Sequence, residues 1–333
     1  MKIVVVGKKN HLHWDEDVVD AFKELDHDVL HFQVNQRPLY IQTTRGLLKG
    51  LLGKNKGSEI TDKIYANNIK KQLEKIKPDI IIVISACFLS NIFYETFKEL
   101  KNKPKIFAWE GDGGLEQNHN KYLAEYVDVM LSSTPNPVES NEFNFSNIFY
   151  LNSAVNHNEF KDLDNKRKKN VYFCGNLNND RNLFFSKLKD YELVLRGVNW
   201  DKLNEKNHNF NIINGMIDRK QLLKDYNSYF AALNYHQKEV ASFMGGMNIR
   251  SFEILATKTL LINDYRDNIE DLFDIEKEIC VYRNTDELKE ILDKLKKYPQ
   301  EFESIRENGY KRVLAEHTYV HRMKKVIDIY NQL

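Results

Sequence analysis

Gly245-Gly246-Met247-Asn248-Ile249-Arg250-Ser251-Phe252-Glu253-Ile254-Leu255-Ala256-Thr257-Lys258-Thr259-Leu260-Leu261-Ile262-Asn263-Asp264-Tyr265 reads as loop, helix and buried strand in immediate succession. Two glycines and an asparagine precede a helical pattern. Ile249, Phe252, Leu255 and Ala256 then fall on one stripe at helical spacings. Arg250 and Glu253 share another face. Lys258 ends the helix, residues 259–262 form a β-prone run, and Asn263-Asp264-Tyr265 turns the chain. A helix that starts behind a loop aims free backbone N–H groups and a positive dipole end at one point, which suits a phosphate. A carboxylate one turn further in can accept hydrogen bonds from a vicinal diol such as a ribose. The same spacing equally fits a buried helix with an Arg250–Glu253 pair on its surface. On spacing alone both readings stay open.

Outward from this stretch the pattern repeats. In the C-terminal half, apolar runs at 171–174, 192–195, 210–213, 229–234, 259–262 and 279–282 read as strands. Helical patterns lie at 218–226, 286–297 and 301–316. In the N-terminal half, 3–6, 29–32, 79–85, 105–109, 127–131 and 148–151 read as strands, with helices at 15–25, 61–76 and 91–100. Continuous β-branched runs such as Ile80-Ile81-Ile82-Val83-Ile84 mark strands buried on both faces. Interleaved in this way, the halves predict an α/β chain of two doubly wound, Rossmann-like domains facing across a cleft. Ligands gather at the carboxyl ends of such strands. The ends here carry Gly7, with His13 and Trp14 in the loop that follows, then Ser85, Glu110-Gly111-Asp112-Gly113-Gly114, Gly175 and Asn234-Tyr235-His236. The first loop is not G-x-G-x-x-G, so a dinucleotide fingerprint is absent. Glu110 and Asp112, two apart among three glycines, fit either a pair of carboxylates brought close to a substrate or a plain acidic turn. Arg181 fits either a phosphate contact or a surface cap of the next helix.

Asn248-x-Arg250-x-Phe252-Glu253, followed by a strand and Asp264-Tyr265, resembles the nucleotide-sugar site of GT-B glycosyltransferases, closest to the spore-maturation (CgeB-type) group. Phe173-Cys174-Gly175 with downstream Arg181 resembles the family's F-x-G loop. Leu151-Asn152-Ser153-Ala154-Val155-Asn156, with Phe160, resembles its interdomain hinge. The family pairs two glutamates seven residues apart; the first position is Gly246 here, and the second is Glu253. The resemblance implies a GT-B arrangement: residues 1–155 as acceptor domain, 156–316 as nucleotide-sugar domain, and 317–333 as a helix packing back on the first. It implies donor contacts from Gly175, Asn176, Arg181, Asn234, Gly245, Gly246, Asn248, Arg250 and Glu253. It raises Asp112 and Glu110 as catalytic candidates, and His13, in the loop after the first strand, is a third. The implied activity moves a sugar from a nucleotide-diphosphate donor to a hydroxyl acceptor such as a glycan, a lipid or another cell-surface molecule. Transfer would retain the anomeric configuration and need neither metal nor cofactor. The alternatives are a non-enzymatic carbohydrate- or nucleotide-binding module on the same scaffold, and a glycosyltransferase that modifies nucleic acid.

Composition narrows the partners. The chain has 333 residues, 42% hydrophobic and 29% charged, which fits a globular protein of two ordinary domains. A net charge of +1 provides no overall field toward nucleic acid or anionic membrane. Cys87, Cys174 and Cys280 are far apart and form no C-x-x-C, which suits a reducing cytoplasm. The chain opens on a strand without a signal-peptide layout, so the expected location is cytoplasmic, with peripheral contact at the inner face of the membrane as an option. That option rests on residues 45–54, where Leu pairs alternate with Lys and Arg. The segment reads either as a basic amphipathic piece touching a membrane or as a loop and short helix packed on the domain. The basic run at 166–169 reads as a solvated loop. His317 and His321, four apart, would share a helix face as metal ligands do, but no third ligand accompanies them and they read as structural.

Overall fold

The computed structural model describes residues 1–9, 13–86, 89–111, 123–135, 145–236 and 246–333; Asp112 and Gly245 lie outside them. The chain divides into two compact units, Met1–Asn152 with Arg322–Leu333, and Ser153–His321.

In the first unit, β1 (Lys2–Gly7), β2 (Asp28–Gln33), β3 (Ile80–Ile84), β4 (Lys105–Glu110), β5 (Val129–Ser132) and β6 (Ile148–Tyr150) form one parallel sheet in the order β2-β1-β3-β4-β5-β6. Ile3 pairs with Val29 on one side and Ile80 on the other. Every residue of β3 is buried, which is why its sequence is unbroken Ile and Val. The chain steps outward from β1 to β2, then returns past β1 to β3 and continues to β6. The sheet therefore reverses direction between β1 and β3. Helices α1 (Trp14–Glu24), α2 (Leu39–Leu52), α3 (Lys54–Ile76) and α4 (Asn91–Lys98) accompany it.

Residues 36–58 differ from expectation. They are neither a loop nor a short helix: α2 runs 14 residues, and α3 begins at Lys54, seven residues before the predicted start. Gly53, with φ +84, breaks the chain between them. Gly57 explains their close packing, because a Cβ there would lie 2.6 Å from the Leu48 carbonyl carbon.

In the second unit, β7 (Lys168–Cys174), β8 (Leu193–Gly197), β9 (Asn211–Asn214), β10 (Tyr229–Asn234), β11 (Leu260–Asp264) and β12 (Cys280–Tyr282) form a parallel sheet in the order β12-β11-β10-β7-β8-β9. This sheet reverses between β7 and β10. Its strands alternate between two cores. Phe173, Leu195, Leu233 and Ile262 face one, with Trp200 and Leu288. Tyr172, Val194, Ala232 and Leu261 face the other, with Phe252, Leu255 and Tyr226. The described helices are α5 (Asn179–Ser186), α6 (Arg219–Ser228), α7 (Ile249–Ala256), α8 (Thr285–Lys297), α9 (Glu303–Glu316) and α10 (Tyr319–Tyr330). Two doubly wound parallel α/β sheets are thus present, as the sequence pattern predicts.

Three further expectations are corrected. Asn263 and Asp264 do not turn the chain but complete β11, with Asn263 buried. Arg167, in the basic run, is not solvated; its guanidinium is buried against six acceptors from three stretches of chain, Asp162, residues 226–229 and residues 257–259. His317 and His321 do not share a helix. His317 closes α9 and donates from Nε2 to the Leu272 carbonyl, while His321 Nδ1 on α10 meets the Thr318 hydroxyl at 2.7 Å. Among the described residues no cluster of metal-ligating side chains forms, and no helix is long and apolar enough to cross a membrane.

Candidate functional site

The reversal between β7 and β10 puts two strand ends side by side, and the donor candidates gather there. β7 ends at Cys174, and Gly175 and Asn176 follow. Gly175 lies against the neighbouring β8 exit. Gly197 adopts φ +146, and a Cβ on it would lie 2.2 Å from the Gly175 carbonyl oxygen. Trp200 Nε1 donates to that same oxygen at 2.8 Å. The Asn176 side chain then accepts from Val198 N–H at 3.0 Å, which pins the loop after β7 to the loop after β8. Gly197→Ala is expected to cost about 1–3 kcal/mol through this collision. A urea titration checks it: an unchanged midpoint would show that the two loops part freely.

Asn178 caps α5 by accepting from Arg181 N–H at 2.9 Å. The Arg181 side chain turns back, donating from Nη1 to the Asn176 carbonyl at 2.7 Å and lying over the Phe173 ring. It is 5% exposed, so it is not a surface cap, and its Nε has no partner among the described residues. Burial, with the charge of Arg250 nearby, brings its pKa down to about 10. At neutral pH it therefore remains a cation. Two arginines that repel one another in a partly dry place are a setting an anion would relieve.

β10 ends at Asn234 and β11 at Asp264, with Asn234 and Asn263 paired across the strands. Asn234 Nδ2 lies 3.0 Å from Asn248 Oδ1, 2.9 Å from Ser251 Oγ and 2.9 Å from Asn263 Oδ1. This buried amide ties both strand ends to the start of α7. Asn248 caps α7 by accepting from Ser251 N–H. Its own N–H donates to His236 Nε2 at 3.1 Å, so that nitrogen is unprotonated and Nδ1 carries the proton, which it donates to Asp264 Oδ1 at 2.6 Å. The backbone N–H groups of Ile249 and Arg250 remain without an acceptor among the described residues. From sequence, His236 stood only among the strand-end residues and Asp264 only within the motif, and neither they nor Ser251 and Asn263 were given a role in the site. The signal available was the repeat of Leu233-Asn234-Tyr235 and Ile262-Asn263-Asp264-Tyr265, two apolar runs each followed directly by an Asn.

Glu253 sits one turn inside α7 and is 7% exposed. Arg250 forms no ion pair among the described residues, so the surface Arg250–Glu253 pair is not present. Both lie close enough to Tyr226 and Cys174 to act on them electrostatically, and burial first of all holds both of those groups protonated. Gly246 is buried beside Met247 at the entry to α7. The second unit thus brings Gly175, Asn176, Arg181, Asn234, Asn248, Arg250 and Glu253 to the end of the sheet where its direction reverses.

In the first unit, His13 is the left-handed N-cap residue of α1, and its Nδ1 lies 2.5 Å from Glu16 Oε2. Burial opposes the charge on Glu16, but the His13 contact outweighs it and holds the carboxyl below its usual range. Glu110 is the last residue of β4 rather than part of a loop, and is 3% exposed. Trp14 links the two places. It meets Trp109 edge-on at 5.0 Å, and a Cβ on Gly111 would lie 3.0 Å from its ring.

Residues 181–328 match the family described as glycosyl transferase-like. A comparison with curated proteins finds no match. Among solved structures, an alpha-glucosyltransferase in complex with UDP-glucose and DNA containing an abasic site superposes with TM-score 0.69 at 12% identity, covering 99% of both chains. Sucrose-phosphate synthase from Thermosynechococcus elongatus superposes with TM-score 0.65 at 10% identity, over 100% of this chain and 98% of that one. The catalytic domain of starch synthase IV from Arabidopsis thaliana, bound to ADP and acarbose, gives 0.64 at 7%, over 100% and 99%. Most of the second unit is thus similar to the glycosyl transferase-like family, and the chain as a whole has the two-sheet GT-B fold.

Proposed function

We propose that the second unit binds a nucleotide-diphosphate sugar and that the chain transfers the sugar to a hydroxyl acceptor held by the first unit. The observation that carries this reading is the meeting of Arg181 and Arg250 with the open N–H groups at the start of α7. A diphosphate supplies the negative charge that this group lacks. Glu253 takes the ribose diol. With the leaving group neutralised by fixed cations and backbone dipoles, transfer proceeds without a metal or cofactor. Retention of configuration and kinship with the CgeB-type group follow the motif around Glu253. Glu110, Asp112 and His13 are the candidates for work on the acceptor side, at the ends of β4 and β1. The chain works in the cytoplasm, with peripheral membrane contact through residues 45–54.

A nucleic-acid acceptor is the second reading, favoured by the DNA held in the alpha-glucosyltransferase structure. A net charge of +1 weighs against a large phosphate footprint. A thermal-shift series with UDP- and ADP-sugars tests the donor site. At about a hundred times its Kd the preferred donor stabilises by about 2.7 kcal/mol. If no nucleotide sugar shifts the transition, the donor reading fails. Donor binding without hydrolysis or transfer would leave the non-enzymatic module in its place.

A further inference from the structure

We propose that the first unit holds an anion site for a phosphate-bearing acceptor, in the cavity where its sheet reverses. Only the word acceptor rests on the function proposed above; the anion site stands on the first unit alone. The cavity is an open one of about 640 Å³. Lys8, directly after β1, lines it, as does Ser90 at the start of α4, which follows β3. These are the two strands between which the sheet changes direction, the place where open α/β sheets take ligands.

The lining is strongly cationic. Among the described residues its lining carries Arg37, Arg45 and Lys49 with one carboxylate, Asp62. That carboxylate is already committed, accepting from Arg37 Nη1 at 2.6 Å. Arg45 and Lys49 lie one turn apart on α2 and point the same way. Neither makes a hydrogen bond or ion pair among the described residues, and Arg45 Nε is enclosed without a partner. An enclosed guanidinium donor without an acceptor is costly. A phosphate oxygen removes that cost and matches the planar fork of an arginine. Ser90 spends no side-chain hydrogen bond on capping α4, which leaves a hydroxyl beside the cations. A Cβ on Gly46, between Arg45 and Leu47, would meet nothing within 4 Å, so the approach is open.

The same helix is apolar on its outer side. Leu47 and Leu51 are 68% and 79% exposed, and Leu39 and Tyr40 are also exposed. α2 therefore turns its cations toward the cavity and its leucines to the outside. A phosphate on a lipid and a phosphate on a soluble acceptor share the chemistry that this site recognises.

The test uses the full chain with a nucleoside diphosphate present at saturation, so that the second unit is occupied, and pyrophosphate as the probe in calorimetry. Arg45→Gln with Lys49→Gln should weaken pyrophosphate binding by about tenfold or more, since each lost charged hydrogen bond is worth about that much. Nucleoside diphosphate affinity should stay as in the wild type, which also shows that the variant is folded. Sedimentation with phosphatidylglycerol vesicles but not phosphatidylcholine, lost in this variant and in Leu47→Ser with Leu51→Ser, assigns the phosphate to a lipid headgroup. Pyrophosphate binding without sedimentation assigns it to a soluble acceptor. Both results uphold the site. Equal pyrophosphate affinity in wild type and the Arg45, Lys49 variant overturns it. Failure of the nucleoside diphosphate to bind, with the pyrophosphate difference intact, counts against the donor reading alone.

Discussion

Arg167→Met is expected to destabilise the second unit by about 3–5 kcal/mol, the usual cost of removing one partner from a buried charged network. The guanidinium lies just before β7 and is nearly sealed from water. Nη1 donates to the Tyr226 and Tyr229 carbonyls and to Thr259 Oγ1, at 2.8 Å for the last. Nη2 donates to Asp162 Oδ1 at 2.8 Å and to the Thr257 carbonyl at 2.7 Å. One side chain therefore fastens the entry of β7, the junction of α6 with β10, and the junction of α7 with β11. Methionine keeps the stem but leaves Asp162 charged and unpaired and several carbonyls without a donor. Urea unfolding should show a lower midpoint with an unchanged slope. A loss below about 0.5 kcal/mol, typical of surface changes, would mean that the network is dispensable.

Glu253→Gln is expected to weaken donor binding about tenfold, and Glu253→Ala by about ten- to a hundredfold, because a hydrogen bond to a charged group contributes about 1.5–3 kcal/mol. The carboxylate is buried and engaged, so Glu253→Ala also alters packing and is expected to lower stability. Glu253→Gln keeps the volume and one acceptor oxygen, and separates the two effects. If both variants melt earlier yet titrate UDP- or ADP-sugar like the wild type, Glu253 holds the fold and not the ribose.

The strands were legible because burial on both faces writes itself locally, as an unbroken Ile and Val run in β3 or Val171-Tyr172-Phe173 in β7. The helices at 36–58 were less legible. Their leucines face outward, so the apolar stripe that normally signals a packed face points away from the core. Arg167 was hidden for a related reason: neighbours Lys166, Lys168 and Lys169 share its charge, but its six acceptors come from residues 5 to 92 positions away. The donor candidates could be drawn from motif and strand ends. What tied them together, the Asn234 amide and the Asp264–His236–Asn248 relay, depends on pairing β10 with β11. That register is a property of the sheet and leaves no trace in local spacing.

The first unit is discontinuous: it needs Arg322–Leu333 as well as Met1–Asn152. Arg322 Nε donates to the Asn152 carbonyl at 3.0 Å and Lys325 Nζ to the Tyr150 carbonyl at 3.1 Å. On the ribosome, domains usually fold in the order of their synthesis, N-terminal first. Here every residue of the second unit has been made before the last dozen residues of the first exist. Of the two units, the one whose strands are made first is thus completed last, and the closing turns of α10 act as its final stitch.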